Sequence, residues 1–401
     1  MNTLERRRTF LKYLAASPAL TPVSRAFSQL LIDSNTPLLE TAADAINVFD
    51  FEPFTRTNLT EAHHTYMAMG VDNGATVRAN REGFTRLQIR SRRLVNVSQI
   101  DMGIELFGTQ YASPIIIAPV GTHKMFHSDG ELAVARASTS RNALQILSTV
   151  TTTSVEDVNA ARDTPVWYQL YPTEDWRITE ALVTRAEESG CPAVAITVDL
   201  PNSNRESLDR YRRNTNPECL GCHEPGIAGS VARKPMFDGL DLSAITNTRA
   251  PQMDWAFIDR IKEMTSMRVL LKGVVAHEDA ALALRYGVDG LIVSNHGGRA
   301  INSGRATIDS LPEIVETING RIPILIDGGF RRGTDIFKAL AIGADAICIG
   351  RPYIWGLTAF GQQGVERVLD MLNRELHIMM QQAGTPNLAS ITQDFILPSP
   401  G

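Results

Sequence analysis

Cysteine is scarce in this sequence, with four residues among 401, and this excludes the disulfide-dense scaffold of small secreted domains. No run of about 18 apolar residues occurs, so no membrane-spanning helix is expected. Basic residues are scattered rather than interleaved with aromatics, and the net charge is −5, which argues against a nucleic-acid partner. What remains is a chain long enough for one large α/β barrel or two ordinary domains.

The N-terminus carries the segment "RRRTFLK", from Arg6 to Lys12, which resembles a twin-arginine export signal. A short, weakly apolar stretch follows it, and "SRA", ending at Ala26, fits a cleavage site. We therefore predict a signal segment over residues 1–28 and a periplasmic location. The alternative is a basic, amphipathic start of a cytoplasmic protein.

Eight short apolar runs rich in Ile and Val alternate with helix-like segments from about residue 110 onward. Near-continuous apolar strands between helices are typical of a parallel sheet covered on both faces. Eight such units predict a (β/α)8 TIM barrel. A doubly wound open sheet is the alternative, disfavoured because no glycine-rich dinucleotide fingerprint follows the first strand. The runs begin at Pro114, Leu144, Val166, Ala193, Arg268, Gly290, Ile322 and Ala346.

Two segments depart from this alternation. The loop after the fourth predicted strand is long, running through about Asn202 to Trp255, and such loops often act as lids over the active face of a barrel. Ahead of the barrel, "NLTEAHHTYMAMG" predicts a helix in an N-terminal extension. Nothing indicates a second domain, so residues 36–401 are predicted to form a single barrel domain.

Polar or charged side chains follow the apolar runs at seven of the eight predicted strand ends. In a barrel these ends meet at one face, where reactive groups gather. Each residue alone has a structural explanation, because strand-end hydroxyls satisfy backbone groups and a lone Lys is usually solvated, but their joint occurrence points to a site. In chain order the ends carry Ala118, Pro119, Val120 and Gly121, Ser148, Gln169 with Tyr171, Thr197 with Asp199, Lys272, Ser294 with His296 and Arg299, Asp327, Gly328 and Gly329 with Arg331, and Gly350 with Arg351.

These residue types indicate three kinds of chemistry. Two glycine-rich turns with Arg331 and Arg351 suit a phosphate, and the hydroxyl and amide groups suit a ring with several hydrogen-bonding edges. Lys272 offers positive charge to such a ring, and His296 is a candidate general base with Asp199 as its partner. Further arginines suit a substrate carboxylate. Together these features predict a flavin mononucleotide (FMN) enzyme that acts on an acid.

Longer stretches resemble one known family. "LIVSNHGGR", "LLKGV", "DGGFRRGTDIFKALAIGADAICIGRP", "WYQLY" and "AITVD" are similar to motifs of the FMN-dependent α-hydroxy-acid oxidases and dehydrogenases, which include glycolate oxidase, lactate oxidase, mandelate dehydrogenase and the flavin domain of flavocytochrome b2. The resemblance runs from Tyr66 to the C-terminus. It implies a TIM barrel, FMN as cofactor, and oxidation of an L-2-hydroxy acid to the 2-oxo acid, with oxygen, a quinone or a protein as the electron acceptor. It also implies a homo-oligomer, usually a tetramer.

The resemblance implies roles for individual residues. His296 matches the base that takes the substrate proton, and Asp199 matches the carboxylate that supports it. Arg299 and Arg205 match the pair that holds the substrate carboxylate, and Lys272 matches the lysine beside the flavin N1–C2 edge. The remaining matches are the substrate-facing Tyr66 and Tyr171, and the cofactor contacts Ala118, Pro119, Val120, Ser148, Gln169, Thr197, Ser294, Asp327, Gly329, Arg331, Gly350 and Arg351.

The sequence departs from the family pattern at several positions. "AIN" follows "SNHGGR" where Gln-Leu-Asp is usual, so the support of this turn differs. Gly121 stands where many oxidases have Ala and leaves the electron acceptor open. Val150 stands where glycolate oxidase has Trp, so the substrate side-chain pocket is expected to differ.

The long loop also contains "CLGCH", Cys219 to His223, which matches the c-type haem attachment signature. A metal site or a redox-active thiol pair is one alternative, and an ordinary disulfide or free thiols is another. No metal site is predicted elsewhere. For the whole chain, isopentenyl-diphosphate isomerase chemistry and a non-catalytic flavin-binding barrel are the alternative functions, disfavoured because neither needs His296, Asp199 and the paired arginines.

Overall fold

The computed structural model describes residues 39–199, 202–213, 226–231 and 233–399. The predicted signal segment over residues 1–28 lies outside this range, and so does the "CLGCH" motif with Cys219, Cys222 and His223. Within the described residues, no helix combines the length and apolar composition needed to cross a membrane.

The described strands are β1 (Leu87–Ile89), β2 (Ile104–Leu106), β3 (Thr109–Tyr111), β4 (Ile115–Ile117), β5 (Ile146–Ser148), β6 (Trp167–Leu170), β7 (Ala193–Thr197), β8 (Arg268–Val274), β9 (Gly290–Val293), β10 (Ile324–Asp327), β11 (Ala346–Ile349) and β12 (Ile396–Pro398). The described α-helices are α1 (Glu52–Asn58), α2 (Glu61–Ala68), α3 (Ala75–Glu82), α4 (Gly130–Ser140), α5 (Val155–Ala160), α6 (Trp176–Glu188), α7 (Glu206–Arg213), α8 (Gly226–Val231), α9 (Trp255–Met264), α10 (His277–Arg285), α11 (Thr307–Ile318), α12 (Gly333–Ile342) and α13 (Arg351–Ala383). Short 3-10 helices lie at Ala42–Asp44, Val48–Phe51, Gly83–Arg86, His123–Met125, Pro235–Phe237, Leu388–Ser390 and Gln393–Phe395.

Strands β4 to β11 form one parallel sheet that curls into a barrel. Their order is β4-β11-β10-β9-β8-β7-β6-β5, and the two ends of the sheet meet through a parallel bridge between Ile117 and Gln145. At that seam the Ile117 amide donates to the Leu144 carbonyl at 2.9 Å. The predicted TIM barrel is confirmed and the open-sheet alternative is wrong.

The barrel interior is filled by apolar side chains and closed at one end by the β2–β3 hairpin. Trp167, Ala193 and Ala346, which begin their strands, lie in one cluster with Leu106 and Tyr111 of the hairpin. The hairpin therefore closes the end where the strands begin, and the polar residues at the strand ends lie at the opposite end. In this fold the end where the strands begin contributes to stability, and reactive groups gather at the opposite end.

The segments that carry the helix pattern between strands form helices, including α6, α10 and α12, and the predicted helix of the N-terminal extension is α2. The long segment after β7 contains helices α7 and α8 in its described parts. The extension and the C-terminus are joined by antiparallel pairing of β1 with β12.

Glu131 fastens together the two loops that follow β4 and β5. It is fully buried at the start of α4. One carboxylate oxygen accepts from the backbone amides of His123 and Thr152 at 3.0 and 2.8 Å, and the other accepts from the hydroxyls of Thr152 and Thr153 at 2.7 and 3.0 Å. Burial alone would raise the pKa of Glu131, but the neighbouring His123 and these donors outweigh it and lower the pKa to about 2.

We expect Glu131→Gln to destabilise the folded protein by about 3 kcal/mol at neutral pH, because a carboxylate with a lowered pKa is replaced by an amide that cannot accept all four bonds. The contribution is full above pH 4.5 and is lost as the pH falls toward 2. Urea unfolding of both proteins at pH 7 and at pH 3 measures it.

Glu316→Gln, at an exposed position of α11, is the matched control and should change the unfolding midpoint little at either pH. A stability difference between wild type and Glu131→Gln that did not shrink on acidification would contradict the assignment.

Candidate active site

A cavity opens at the C-terminal ends of the barrel strands. Most residues predicted to form a site line it. The exceptions are Asp199 and the buried residues Ser148, Gln169, Thr197 and Ser294. The predicted residues that line the cavity are Tyr66, Ala118, Pro119, Val120, Tyr171, Arg205, Lys272, His296, Arg299, Asp327, Gly329, Arg331, Gly350 and Arg351.

His296 lies in a turn of three consecutive left-handed residues. The φ angles of His296, Gly297 and Gly298 are 58°, 62° and 78°. Glycine adopts this region freely, but a side chain makes it costly, and such conformations concentrate at functional sites. The Ser294 hydroxyl accepts the His296 amide at 3.0 Å and so holds the start of this turn.

The N-terminal extension holds the same turn from outside the barrel. Asn295 and Asn80 exchange two amide hydrogen bonds, both at 2.8 Å, and the Val71 amide donates to the Gly298 carbonyl at 3.0 Å. A side chain on Gly298 would lie 2.7 Å from the Val77 amide, so the close approach of α3 requires glycine there.

The unusual "AIN" continuation of the turn is fastened to the same helix. The Thr76 hydroxyl donates to the Ile301 carbonyl at 2.9 Å, and its amide donates to the Asn302 side chain at 3.2 Å. Asn302 in turn donates to Asn73 at 2.8 Å. The "AIN" segment thus bonds to the first turn of α3, and this contact supports the left-handed turn at His296.

The imidazole of His296 lies between an acid and a phenol. Nδ1 is 3.0 Å from Asp199 Oδ1, and Nε2 is 3.2 Å from the Tyr171 hydroxyl. An ionised Asp199 can only accept, so the ring proton lies on Nδ1 and the Nε2 lone pair faces the cavity. Burial lowers the pKa of His296 below its usual value, while Asp199 opposes that shift. The ring is therefore a neutral base near neutral pH.

Asp199 reaches His296 because Gly273 has no side chain. A Cβ at Gly273 would lie 2.5 Å from the Asp199 Cβ, and φ at Gly273 is +114°. Burial would raise the pKa of Asp199, but the neighbouring His296 and Lys272 lower it. Its second oxygen, Oδ2, is buried without a hydrogen-bond partner, so the charge is directed at His296.

Lys272, Ser294 and Asp327 form a buried ionic cluster across β8, β9 and β10. Lys272 Nζ lies 3.1 Å from Asp327 Oδ2 and donates to the Ser294 hydroxyl at 2.9 Å. The Ser294 hydroxyl is 2.8 Å from both oxygens of Asp327. Burial alone would lower the pKa of Lys272, but Asp327 and Asp199 outweigh it and raise the pKa. A permanent cation is thus held in the cavity wall.

The ends of β5, β6 and β7 carry a chain of neutral hydrogen-bond donors and acceptors. The Ser148 hydroxyl donates to Gln169 Oε1 at 3.0 Å, and Gln169 Nε2 donates to the Thr197 hydroxyl at 2.9 Å. The register places Thr197 opposite Lys272. These bonds fix the orientation of the donor and acceptor groups beside Lys272.

Two arginines face the cavity beside Tyr66. The Arg299 guanidinium lies 4.7 Å from the Tyr66 ring centroid and donates to the backbone carbonyls of Tyr66 and Met69. Arg205 donates to the Ser203 hydroxyl at 2.9 Å. Burial would raise the pKa of the Tyr66 phenol, but Arg299, Arg205 and two further cations outweigh it and lower the pKa. This part of the cavity has a strong positive potential.

Arg331 and Arg351 line another part of the cavity with Gly329 and Gly350. Burial, with repulsion from Arg351 and Arg81, lowers the pKa of Arg331 to about 9, and burial with repulsion from Arg299 lowers that of Arg351 to about 10. Arg351 also donates to the carbonyls of Met67, Gly297 and Met69 at 3.1, 2.9 and 2.8 Å. A Cβ at Gly350 would meet nothing within 4 Å, so open space lies beside these cations.

Two of the positions where the sequence departs from the family pattern, Gly121 and Val150, are neighbours. A Cβ at Gly121 would lie 2.5 Å from the Val150 side chain, and both residues line the cavity. Each residue therefore sets the room available to the other.

Several residues of the site were not identified from the sequence. Arg249 and Thr248 line the cavity from the long segment after β7, Asn80 supports the catalytic turn, and Gly273 admits Asp199. A glycine directly after the strand-end lysine is a signal that could have found Gly273. Arg249 and Thr248 lie in a region without a recognisable motif, so no local signal marks them.

Comparison with protein families gives one match to most of the chain. Residues 55–398 match the FMN-dependent dehydrogenase family. The sequence is 37% identical over 351 residues to a peroxisomal (S)-2-hydroxyacid oxidase of Arabidopsis thaliana, covering 88% of this chain and 96% of that protein. It is 38% identical over 355 residues to a 2-hydroxyacid oxidase of Dictyostelium discoideum, covering 88% of this chain and 90% of that protein.

Solved structures share the fold over nearly the same length. Mandelate oxidase with (S)-2-phenylpropionate superposes with a TM-score of 0.77 at 32% identity, covering 89% of this chain and 99% of that one. A single-residue mutant of an active (S)-mandelate dehydrogenase chimera gives a TM-score of 0.80 at 29% identity, with 88% and 99% coverage.

We expect Gly273→Ala to leave the barrel folded and to lower turnover by about 100-fold, because the added methyl displaces Asp199 from His296 by a fraction of an ångström or more. Steady-state kcat, together with circular dichroism and bound flavin content, measures this.

The control is Gly320→Ala, at another position with positive φ (+69°) and nothing within 4 Å of an added Cβ. Equal losses of activity in the two variants would show that backbone strain, and not the position of Asp199, is responsible.

Proposed function

The chain belongs to the FMN-dependent dehydrogenase family, and from this premise we propose that it oxidises an (S)-2-hydroxy acid to the 2-oxo acid with FMN as its cofactor. The observation that carries the proposal is the convergence of a neutral imidazole, His296, with the cations Arg299, Arg205 and Lys272 in one cavity. A base, an anion clamp and a buried cation are what this oxidation needs from a protein.

The cavity fits FMN. Arg331 and Arg351 repel each other or neighbouring cations, and a phosphate beside them would stabilise both guanidiniums. Lys272 would face the ring edge, with Ser148, Gln169, Thr197 and Ser294 as the hydrogen-bonding groups around it. The flavin supplies a two-electron acceptor when bound.

The substrate would be oriented by its carboxylate. Arg299 and Arg205 supply fork-shaped donors, and Tyr66 lies against Arg299 at 4.7 Å, so these three groups suit a bidentate clamp. Tyr171, which lies 3.2 Å from His296 Nε2, would contact the 2-hydroxyl. This arrangement directs the 2-hydroxyl and the α-carbon toward the base.

Proton removal is the work of His296. Its Nε2 lone pair takes the substrate proton, and the resulting imidazolium keeps its Nδ1–H bond to the ionised Asp199 at 3.0 Å. Lys272 stabilises negative charge that develops nearby. Anaerobic mixing with (S)-lactate, glycolate and (S)-mandelate tests the proposal: bleaching of the flavin band by any of them supports it, and its absence with every 2-hydroxy acid tried would end it.

The electron acceptor is proposed to be oxygen, a quinone or a protein partner. The curated relatives are named as oxidases, which supports oxygen as the first candidate. Comparison of oxygen uptake with reduction of an artificial dye at one substrate concentration discriminates between them.

Export to the periplasm is proposed from the "RRRTFLK" segment, and a homo-oligomer, in particular a tetramer, is proposed from the family resemblance. Cell fractionation of the full chain tests the first proposal, and size-exclusion chromatography with light scattering tests the second.

For His296→Gln we expect FMN to stay bound and the rate of flavin reduction by substrate to fall by about 10²- to 10⁴-fold, since the variant lacks the base but keeps the volume and a polar head. Stopped-flow reduction at saturating substrate, together with flavin content, measures the effect. Loss of FMN would instead assign His296 a structural role.

The pH dependence should report His296. Because burial lowers its pKa below 6.5, kcat/KM should stay high at pH 6.5 and fall only at more acidic pH, as the base becomes protonated. Asp199→Asn removes the interaction that raises this pKa, so kcat should fall and the acid limb should move to lower pH. A pH profile of kcat/KM for both proteins measures the shift, and an acid limb that did not move would remove Asp199 from this role.

A further inference from the structure

Arg249 is a cation of the cavity that the proposed reaction does not use. It lies in the long segment between β7 and α9 and borders the same cavity as Arg205 and Arg299. Those two residues, with Tyr66, already suit the carboxylate next to the reacting carbon. A third arginine at this place therefore calls for a separate explanation.

The guanidinium of Arg249 is incompletely satisfied by the protein. Its Nε is buried without a hydrogen-bond partner, and its charge lies 5.6 Å from the centroid of the Tyr171 ring. No carboxylate of the described residues pairs with it, although arginines elsewhere in the described chain commonly have one. Buried polar groups without partners are costly and are usually completed by a ligand or by water.

The charge balance of this part of the cavity points to a ligand with more than one negative charge. Arg205, Arg249 and Arg299 each carry one positive charge, whereas the positive charge of Lys272 is balanced by the negative charge of Asp327. Arg249 is repelled by Arg205, and Asp199, the partner of His296, is the carboxylate that attracts it. Lys234 adds a further positive charge near Tyr66, so a dicarboxylate would compensate more of this positive charge than a monocarboxylate.

The neighbourhood of Arg249 suits a carboxylate. Thr248, which carries a hydroxyl, precedes it, is buried, and lines the same cavity. Val150, also in the cavity wall, is small, so it leaves more room than an aromatic residue would. Repulsion between Arg205 and Arg249 contributes to the lowered pKa of Arg249, after burial, and an anion bound beside Arg249 would offset that repulsion.

We propose that Arg249, with Thr248, binds a second carboxylate at the far end of the substrate, so that the preferred substrates are 2-hydroxy dicarboxylic acids. The proposal rests on the proposed function of the site and adds the side-chain class to it. Arg205 and Arg299 hold the carboxylate beside the reacting carbon, and Arg249 selects for the other one.

The test compares (S)-malate with its 4-amide, which lacks only the distal charge, and with (S)-lactate, which lacks the distal group. We expect kcat/KM for (S)-malate to exceed that for its uncharged 4-amide and for (S)-lactate by about 10- to 100-fold, the range of a charge-assisted hydrogen-bonded pair. In Arg249→Met this preference should disappear, chiefly through a higher KM for (S)-malate, so that kcat/KM for (S)-malate falls about 10- to 100-fold more than kcat/KM for the amide and for (S)-lactate. Arg249→Lys, which keeps the charge, should restore part of the preference.

A binding measurement separates recognition from turnover. Succinate, which lacks the 2-hydroxyl, should raise the Tm of the FMN-loaded wild type more than butyrate does, and this difference should vanish in Arg249→Met. Arg233→Met is the matched control, since Arg233 is exposed and lies in the same segment, and it should behave as wild type in both measurements.

The outcomes separate this proposal from the function on which it rests. If no 2-hydroxy acid reduces the flavin, the proposed function fails. If monocarboxylic 2-hydroxy acids are oxidised as well as (S)-malate, or if Arg249→Met lowers kcat/KM equally for all substrates, the second-carboxylate site is overturned while the function stands. The second of these results would place Arg249 with Arg205 and Arg299 at the carboxylate next to the reacting carbon.

Discussion

The buried ion pair between Lys272 and Asp327, bridged by the Ser294 hydroxyl, is the interaction on which the rest of the site depends. It links the ends of three neighbouring strands, and Ser294 also accepts the backbone amide of His296. Such a pair adds little net stability, because desolvation offsets the attraction, but removal of one partner leaves an unpaired buried charge. The cluster therefore fixes geometry: it keeps Lys272 charged beside the cofactor space and sets where the catalytic turn begins.

The second constraint is the left-handed conformation of His296, which the barrel alone does not hold. Asn80, Val71 and Thr76 of the N-terminal extension bond to the turn and to the "AIN" segment after it. The extension is thus part of the catalytic apparatus, although it contributes no strand to the barrel. Arg351 acts similarly from the other side, since it donates to carbonyls of both the extension and the turn.

Much of the fold and part of the site could be predicted from the sequence. Parallel strands buried on both faces are nearly continuous apolar runs, so their ends are visible, and a barrel brings those ends to one face. This is why residues as distant as Tyr171, Lys272 and His296 could be placed in one site. Arg249 and Thr248 could not be, because they lie in a long segment without periodicity, and its path over the barrel is set by tertiary packing. The role of Gly273 could not be predicted either, because this role is to leave space for Asp199, and that space is visible only in the folded structure.

The sequence by itself determined which residues form strands and which polar groups stand at their ends, because both follow from local periodicity and from the order of elements. Only the tertiary structure decided how those groups pair. Whether Asp199 touches His296, whether Lys272 is neutralised by Asp327, and whether three arginines face one cavity depend on strand register, on backbone angles at a few glycines, and on packing of the extension. These pairings join residues far apart in the chain. Their separations of a few ångströms determine the pKa values of the site residues and the strength of their interactions, so local sequence does not reveal them.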